Sequence, residues 1–181
     1  MASQDVNLYI VGFMGTGKST IGRAVAQRHH MDILDSDHEI ERNTGRRITE
    51  IFESGGEADF RRMEREFIEK GHPARGVVIA CGGGLIIPDG MLEAVSSRGV
   101  VICLHASIAT IIDRVSRNKN RPLLAVDDAV TEATELYAKR EPVYRRAGTA
   151  VLTEDRSIFE TVHHVQRVYQ REAREWARAH Q

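Results

Sequence analysis

The stretch GFMGTGKST, residues 12–20, holds Gly12, four intervening residues, then Gly17, Lys18 and Ser19. That is the Walker A spacing, and its context supports it: a short apolar run precedes and a helical pattern follows. Glycines let successive backbone N–H groups turn toward a β-phosphate with no Cβ in the way. Lys18 brings a point charge to the β- and γ-phosphate oxygens, and the Ser19 hydroxyl is a ligand for Mg²⁺. The helix beginning here adds the positive end of its dipole. Gly15, Thr16, Gly17, Lys18, Ser19 and Thr20 are therefore the expected contacts to ATP or GTP. Such a loop identifies a donor only; an acceptor has to be sought elsewhere in the chain.

LDSD (34–37) places Asp35 and Asp37 after a short apolar run. In an extended segment residues i and i+2 point to one side, and ligands of parallel sheets gather at the strands' carboxyl ends. Beside a Mg²⁺-nucleotide, one carboxylate can order the metal's water shell while the other accepts a hydrogen bond from an attacking hydroxyl. The same spacing is equally compatible with Asp37 simply capping a helix that begins near His38. An apolar run ending in a Walker B aspartate, the mark of a water-activating ATPase or GTPase, is not evident.

Three further stretches carry chemistry-bearing residues. In GEADFRRMEREF (56–67), Phe60, Met63 and Phe67 form an apolar face while Arg61 and Glu64 are i, i+3 neighbours. Alone, that pattern also describes a solvated helix whose ion pairs contribute a few tenths of a kcal/mol each. In VVIACGGGLII, Gly82, Gly83 and Gly84 follow an apolar run where one glycine would serve a turn. The entropic cost of three is accounted for if backbone must approach a ligand closely. NKNRPLL (118–124) reads by itself as a basic loop with a proline stop.

The elements that must position these residues follow from hydrophobic patterning. Short β-branched runs at 7–11, 32–34, 77–80, 100–104 and 150–152 alternate with helical spacing at 18–30, 56–70, 107–117 and 127–146. The runs are nearly continuous in apolarity, which predicts an α/β fold with a parallel sheet covered on both faces. Ile48, Ile51 and Phe52 predict a short amphipathic turn closing before the glycine pair at 55–56. Ser107 is the expected N-cap after the fourth strand, and Ser157 with Glu160 forms a capping box opening the last helix. No repeat, low-complexity stretch or linker interrupts the 181 residues, so one domain is expected.

Composition narrows the function class. Hydrophobic residues at 41% and charged residues at 28% are those of a soluble globular protein. With a formal net charge of −1, no global field recruits nucleic acid or an anionic membrane, so anion binding must come from locally placed arginines. Cys81 and Cys103, both in apolar runs, are too few for a disulfide framework and wrongly spaced for zinc; two buried thiols are expected. The eight histidines show no clustered metal-ligand spacing. No signal peptide and no run approaching 18 apolar residues is present, which predicts a cytoplasmic protein. No apolar stripe demands a partner, so a monomer is expected.

In order, the Walker A loop, Asp35-x-Asp37, IFESGGEADFRRME, ACGGG, NRPLL (120–124) and KREPVY (139–144) resemble the shikimate kinases, nucleoside-monophosphate-kinase-like P-loop proteins, over nearly the whole chain. The resemblance implies a three-layer P-loop kinase with a five-stranded parallel sheet, a helical substrate-binding region near 36–65 and a mobile lid near 114–125. It implies ATP-dependent phosphorylation of the 3-hydroxyl of shikimate, giving shikimate 3-phosphate and ADP, on the way to chorismate and the aromatic amino acids. By the same resemblance, Asp35 holds a water on Mg²⁺ beside Ser19, and Asp37 binds shikimate hydroxyls and serves as base or orienter. Arg61 and Arg140 grip the substrate carboxylate, a match of guanidinium fork to carboxylate that chemistry favours. Glu64 holds Arg61, Gly82, Gly83 and Gly84 lie against the substrate, and Phe52 and Phe60 wall its ring. Arg121 is the lid arginine that closes over the phosphates, and Arg114 packs near adenine.

The likeness thins after the last strand. Relatives often carry an arginine and a proline there; this chain has Asp155-Arg156-Ser157, so Arg156 fits the arginine and the proline is missing. Adenine contacts from that loop are left open, and His38 and Cys81 receive no role. Two rivals remain. A small-molecule P-loop kinase such as a gluconate kinase has no need of paired arginines facing a carboxylate. A non-catalytic nucleotide-binding module would not be expected to keep Lys18, Asp37 and Arg121 together.

Overall fold

Each of the five apolar runs becomes a parallel strand. In the computed structural model, which describes residues 6–116 and 127–180, these are β1 (Asn7–Val11), β2 (Asp32–Asp35), β3 (Val77–Ala80), β4 (Gly99–His105) and β5 (Thr149–Leu152). They lie side by side in the order β2-β3-β1-β4-β5. Leu8 of β1 sits opposite Val78 of β3 and Val100 of β4, which sets the central register.

The continuous apolarity of the inner strands has a direct structural reason. Successive side chains alternate between two cores. Leu8, Ile10, Val78, Val100, Ile102 and Leu104 face one, packed against α1 (Lys18–His29) and α7 (Ile158–Ala179). Tyr9, Val11, Val77, Ile79, Val101 and Cys103 face the other, beneath α3 (Ile48–Lys70), α4 (Met91–Ser96), α5 (Ile108–Ser116) and α6 (Asp127–Tyr144). A strand with apolar neighbours on both sides has no polar face to show. The edges depart from that expectation: β2 is exposed to half-buried along its length, and β5 buries only Val151.

The two helices with an expected N-cap, α5 and α7, begin at it. Ser157 accepts from the Glu160 N–H while the Glu160 carboxylate accepts from the Ser157 N–H, the reciprocal box expected for α7. Ser107 Oγ accepts from the Thr110 N–H at 3.3 Å at the start of α5. The short turn expected at 48–52 and the helix from 56 are two helices meeting at a kink within the span labelled α3: Gly56 there is non-helical, with φ 70° and ψ −176°, a conformation open to glycine at little cost. α4 was not signalled; its six residues are too short for a helical period to declare itself. Between β2 and α3 lies α2 (Ser36–Thr44), which carries Asp37 in its first turn. Cys81 and Cys103 are both buried and unpaired, as composition suggested. Among the described residues no helix is long and apolar enough to cross a membrane. Arg121 and the lid segment from 117 to 125 lie outside the described residues.

Candidate active site

The loop between β1 and α1 sits at the centre of the sheet, between β3 and β4, where the chain's progression across the sheet reverses. Gly12 turns there with φ 135°, and a Cβ on it would meet the Leu104 carbonyl at 2.3 Å, so no other residue fits. Gly15 and Gly17 also have positive φ, and Gly17 is the N-cap of α1. A glycine cap offers no side-chain acceptor to the first turn of α1, whose N-terminal end carries the positive pole of the helix dipole and so favours an anion. Thr16 Oγ1 and Lys18 Nζ both donate to the Phe13 carbonyl, at 2.8 and 3.0 Å, which braces the loop from inside. Thr20 is exposed.

The two aspartates arrive by different routes. Asp35 ends β2 and is the N-cap of α2: its Oδ1 accepts from the Asp37 N–H at 3.2 Å. The capping alternative raised for Asp37 therefore falls to Asp35. Asp37 lies in the helix's first turn, so the i, i+2 alternation of an extended strand does not describe the pair. The other oxygen of Asp35 accepts from Ser19 Oγ at 2.8 Å, which ties β2 to the phosphate loop. Between the aspartates, Ser36 is fully buried and its Oγ accepts from the Gly82 N–H at 2.8 Å. The sequence reading missed that link; the signal was its position between two candidate site residues, where strand alternation would point it away.

The glycine triplet follows β3 and divides its work. A Cβ on Gly82 would lie 2.3 Å from Asp37 Oδ1, and one on Gly84 would lie 2.7 Å from Arg61 Nη2. One on Gly83 would be an ordinary 3.5 Å from the Met14 amide. Two of the three glycines thus make room for protein side chains, Asp37 and Arg61, and Gly83 lays the turn against the phosphate loop. The stretch Ala80–Cys81–Gly82 brings the carboxyl end of β3 directly under this group. Burial pushes the Cys81 thiol far up, Lys18 opposes, and Glu64, Asp37 and Asp35 reinforce, so all four charges surround that one strand end.

Arg61 and Glu64 form the core of the cluster. Arg61 Nη1 donates to Glu64 Oε2 at 2.6 Å, while its Nε and Nη2 donate to Glu57 Oε1 at 3.1 and 2.8 Å. Glu64 is 1% exposed, and its Oε1 has no hydrogen-bond partner among the described residues. Burial raises its carboxyl to about 7; Arg61 opposes that rise, Asp37 adds to it and Arg140 opposes it. Desolvation of this size, beside specific charge partners, is the pattern of a functional site. Arg140, half-buried on α6, is near enough for its charge to act on the same carboxylate. Phe60 is buried and stacks at a tilt 5.1 Å from Phe52, which is 39% exposed at the cleft's rim.

On the opposite flank of the loop, Arg114 donates to Thr153 Oγ1 at 2.8 Å, to the Thr153 carbonyl at 2.6 Å and to the Gly15 carbonyl at 3.5 Å. It therefore joins the phosphate loop to the segment after β5. Glu154 of that segment accepts from the Ser107 N–H at 2.8 Å, a tie the sequence reading missed. Arg156 is exposed, and the groups that feel its charge are Glu160 and His164 on α7.

Comparison with known proteins gives a consistent result. A family model described as shikimate kinase matches residues 14–170. The shikimate kinase of Thermodesulfovibrio yellowstonii is 38% identical over 165 residues, covering 91% of this chain and 95% of that one. A structure of the shikimate kinase from Acinetobacter baumannii in complex with shikimate has a TM-score of 0.80 at 35% identity, over 90% of this chain and 92% of that one. A gluconokinase from Sinorhizobium meliloti has a TM-score of 0.66 at 17% identity, over 94% of each chain, a likeness of fold alone.

Proposed function

Because the chain belongs to the shikimate kinase family, we propose that it transfers the γ-phosphoryl group of ATP to the 3-hydroxyl of shikimate, releasing ADP and shikimate 3-phosphate. The step would lie on the way to chorismate and the aromatic amino acids. The observation that carries the reading is the meeting of Asp37 and Arg61 at the carboxyl end of β3, each fitted against a glycine, beside the loop that begins at Gly12.

In this reading the donor phosphates lie along the N–H groups at 15–20, with the Lys18 ammonium on the β/γ oxygens. Asp37 accepts the hydrogen bond of the attacking hydroxyl and takes its proton as the new P–O bond forms and the bond to the β-phosphate oxygen breaks. Arg61 and Arg140 hold the substrate carboxylate, with Phe52 and Phe60 beside the ring, so the hydroxyl is presented in line instead of diffusing. Gly82, Gly83 and Gly84 form the floor, and Glu64 keeps Arg61 in place. Arg114, and more remotely Arg156, stand on the adenine side. Arg121 and the lid are expected to bring a further positive charge to the transferring group.

Ser19 Oγ and Asp35 Oδ2, 2.8 Å apart, are a hydroxyl and a carboxylate of the hard-oxygen type that suits Mg²⁺. Ser19 would hold the ion directly and Asp35 through a water. Held there, Mg²⁺ would supply positive charge that offsets part of the negative charge on the donor's phosphates. The reading is of one cytoplasmic kinase domain, a monomer acting on a small molecule and not on nucleic acid or membrane.

A coupled assay of ADP release by purified protein tests this. Release should require both shikimate and Mg²⁺ and stay near background with gluconate or nucleoside monophosphates. Equal stimulation by those acceptors would refute the assignment.

A further inference from the structure

Tyr144 ends α6 and received no role above. Its side chain is 1% exposed, and its hydroxyl donates to the Gly83 carbonyl at 2.5 Å. Burial lifts this phenol to about 12, with the Arg140 guanidinium opposing from beside the hydroxyl, so it stays neutral at working pH. A neutral phenol has one proton to donate, here spent on Gly83, and lone pairs open to a guanidinium. The ring, meanwhile, packs edge-on to Phe13 with centroids 6.3 Å apart, and Tyr137 packs on Phe13 at 5.3 Å. Phe13 is the residue whose carbonyl braces Thr16 and Lys18. One side chain therefore touches the phosphate loop with its ring and the glycine turn with its hydroxyl.

The helix cannot supply this precision by itself. Pro142 lies inside α6 between Arg140 and Tyr144, and its missing N–H removes a rung of the backbone ladder at that point. A side-chain tie is then needed to fix where Arg140 sits. From this geometry we propose that Tyr144 is a positioning residue: its hydroxyl fixes the Gly83 carbonyl and the Arg140 guanidinium at a set distance from the phosphate loop. The proposal rests on the reading of the cleft as a site for a carboxylate-bearing acceptor.

Tyr144→Phe keeps the ring and deletes the hydroxyl. Loss of one buried hydrogen bond, with the freedom it returns to Arg140, should raise the KM for shikimate about five- to tenfold. The KM for ATP should stay within about twofold, since the Phe13 contact survives. Tyr144→Leu, which loses the ring as well, should raise the KM for ATP too. On an Arg140→Ala background, Tyr144→Phe should add less than about twofold to the shikimate KM, because the group it positions is gone. An unchanged shikimate KM in Tyr144→Phe would overturn the proposal. So would an equal rise in both KM values with a lowered thermal midpoint, or failure of the isosteric variant to fold, since each marks a purely structural residue. If wild-type protein released no ADP on shikimate, the functional reading would fall and this proposal with it; normal wild-type turnover isolates the Tyr144 question.

Discussion

Three adjacent glycines should respond to the same substitution in three different ways. Backbone conformation does not require glycine at 82, 83 or 84, since none has a positive φ. What differs is the atom a methyl group would meet. At Gly82 the new Cβ would stand 2.3 Å from Asp37 Oδ1, where ordinary contact begins near 3.4 Å, so the carboxylate must retreat by roughly 1 Å. Asp37 is the end of a flexible side chain, so the retreat is cheap in stability, and the protein should fold. It is not cheap in turnover, because a displacement of about 1 Å at a reacting group can cost on the order of 100-fold. Gly82→Ala should therefore lower kcat about 100-fold and leave the KM for ATP unchanged.

Gly84→Ala meets Arg61 Nη2 at 2.7 Å instead and should act on acceptor binding. With one charge-assisted hydrogen bond disturbed, the KM for shikimate should rise about tenfold or more. Gly83→Ala is the internal control, since its Cβ has ordinary contact at 3.5 Å, and both constants should stay within about threefold. Steady-state kinetics with both substrates varied separates these outcomes, with thermal melting to show that all three variants fold. Identical kinetic profiles for the three would refute the argument that the glycines are placed for side-chain clearance. A Gly82→Ala enzyme with wild-type kcat would remove Asp37 from the reacting group.

Asp37→Asn should keep ATP binding, read by calorimetry, yet lose about 100-fold or more in kcat, the range for a general base; full activity would exclude Asp37 from the chemistry. Arg61→Ala should weaken shikimate binding at least about tenfold while sparing ATP, and unchanged shikimate affinity would show that the carboxylate is gripped elsewhere. Glu64 gives a pH signature of definite sign. Its carboxyl rises from 4.5 to about 7 on folding, so its favourable contribution is complete below pH 4.5 and is lost as pH climbs through 7. At 1.36 kcal/mol per unit this amounts to about 3 kcal/mol, so the melting temperature of Glu64→Gln relative to wild type should improve between pH 5 and pH 8; a difference independent of pH would place Glu64 in a less buried setting.

Legibility followed the range of the interactions. The phosphate loop, the strand periods and the capping box at Ser157 are local patterns, each set by residues within one short stretch of chain, and they could be read directly. Ser36 and Tyr144 could not. Each bonds to the glycine turn from far away in sequence, Ser36 across 46 residues and Tyr144 across 61. Arg61 and Arg140 were ordinary charged helix residues until a family resemblance placed them at a carboxylate, because their meeting depends on how α3 and α6 dock. The triplet 82–84 suggests backbone lying close to a ligand; what the structure sets against Gly82 and Gly84 is the side chains of Asp37 and Arg61, which no pattern along the chain reveals. Asp35 and Asp37 had the correct proximity for an incomplete reason, since the strand stops between them.

The two carboxylates that hold Arg61 are unequal, and the inequality suits an acceptor site. Glu57 has a side chain 65% exposed. An ion pair in such contact with water contributes about 0–1 kcal/mol, so an arriving carboxylate can displace it at small cost. Glu64 is buried, so its removal takes away the inner partner of a guanidinium that is itself only 18% exposed, a greater loss than that of the outer pair. Arg61 is thus anchored on its inner nitrogen, Nη1, and lightly occupied on Nε and Nη2. Those two outer donors form the fork that a carboxylate accepts in bidentate fashion. On the proposed reading, Glu57 keeps the fork satisfied until substrate arrives, Glu64 keeps it aimed, and a substrate carboxylate need only replace the weaker of the two.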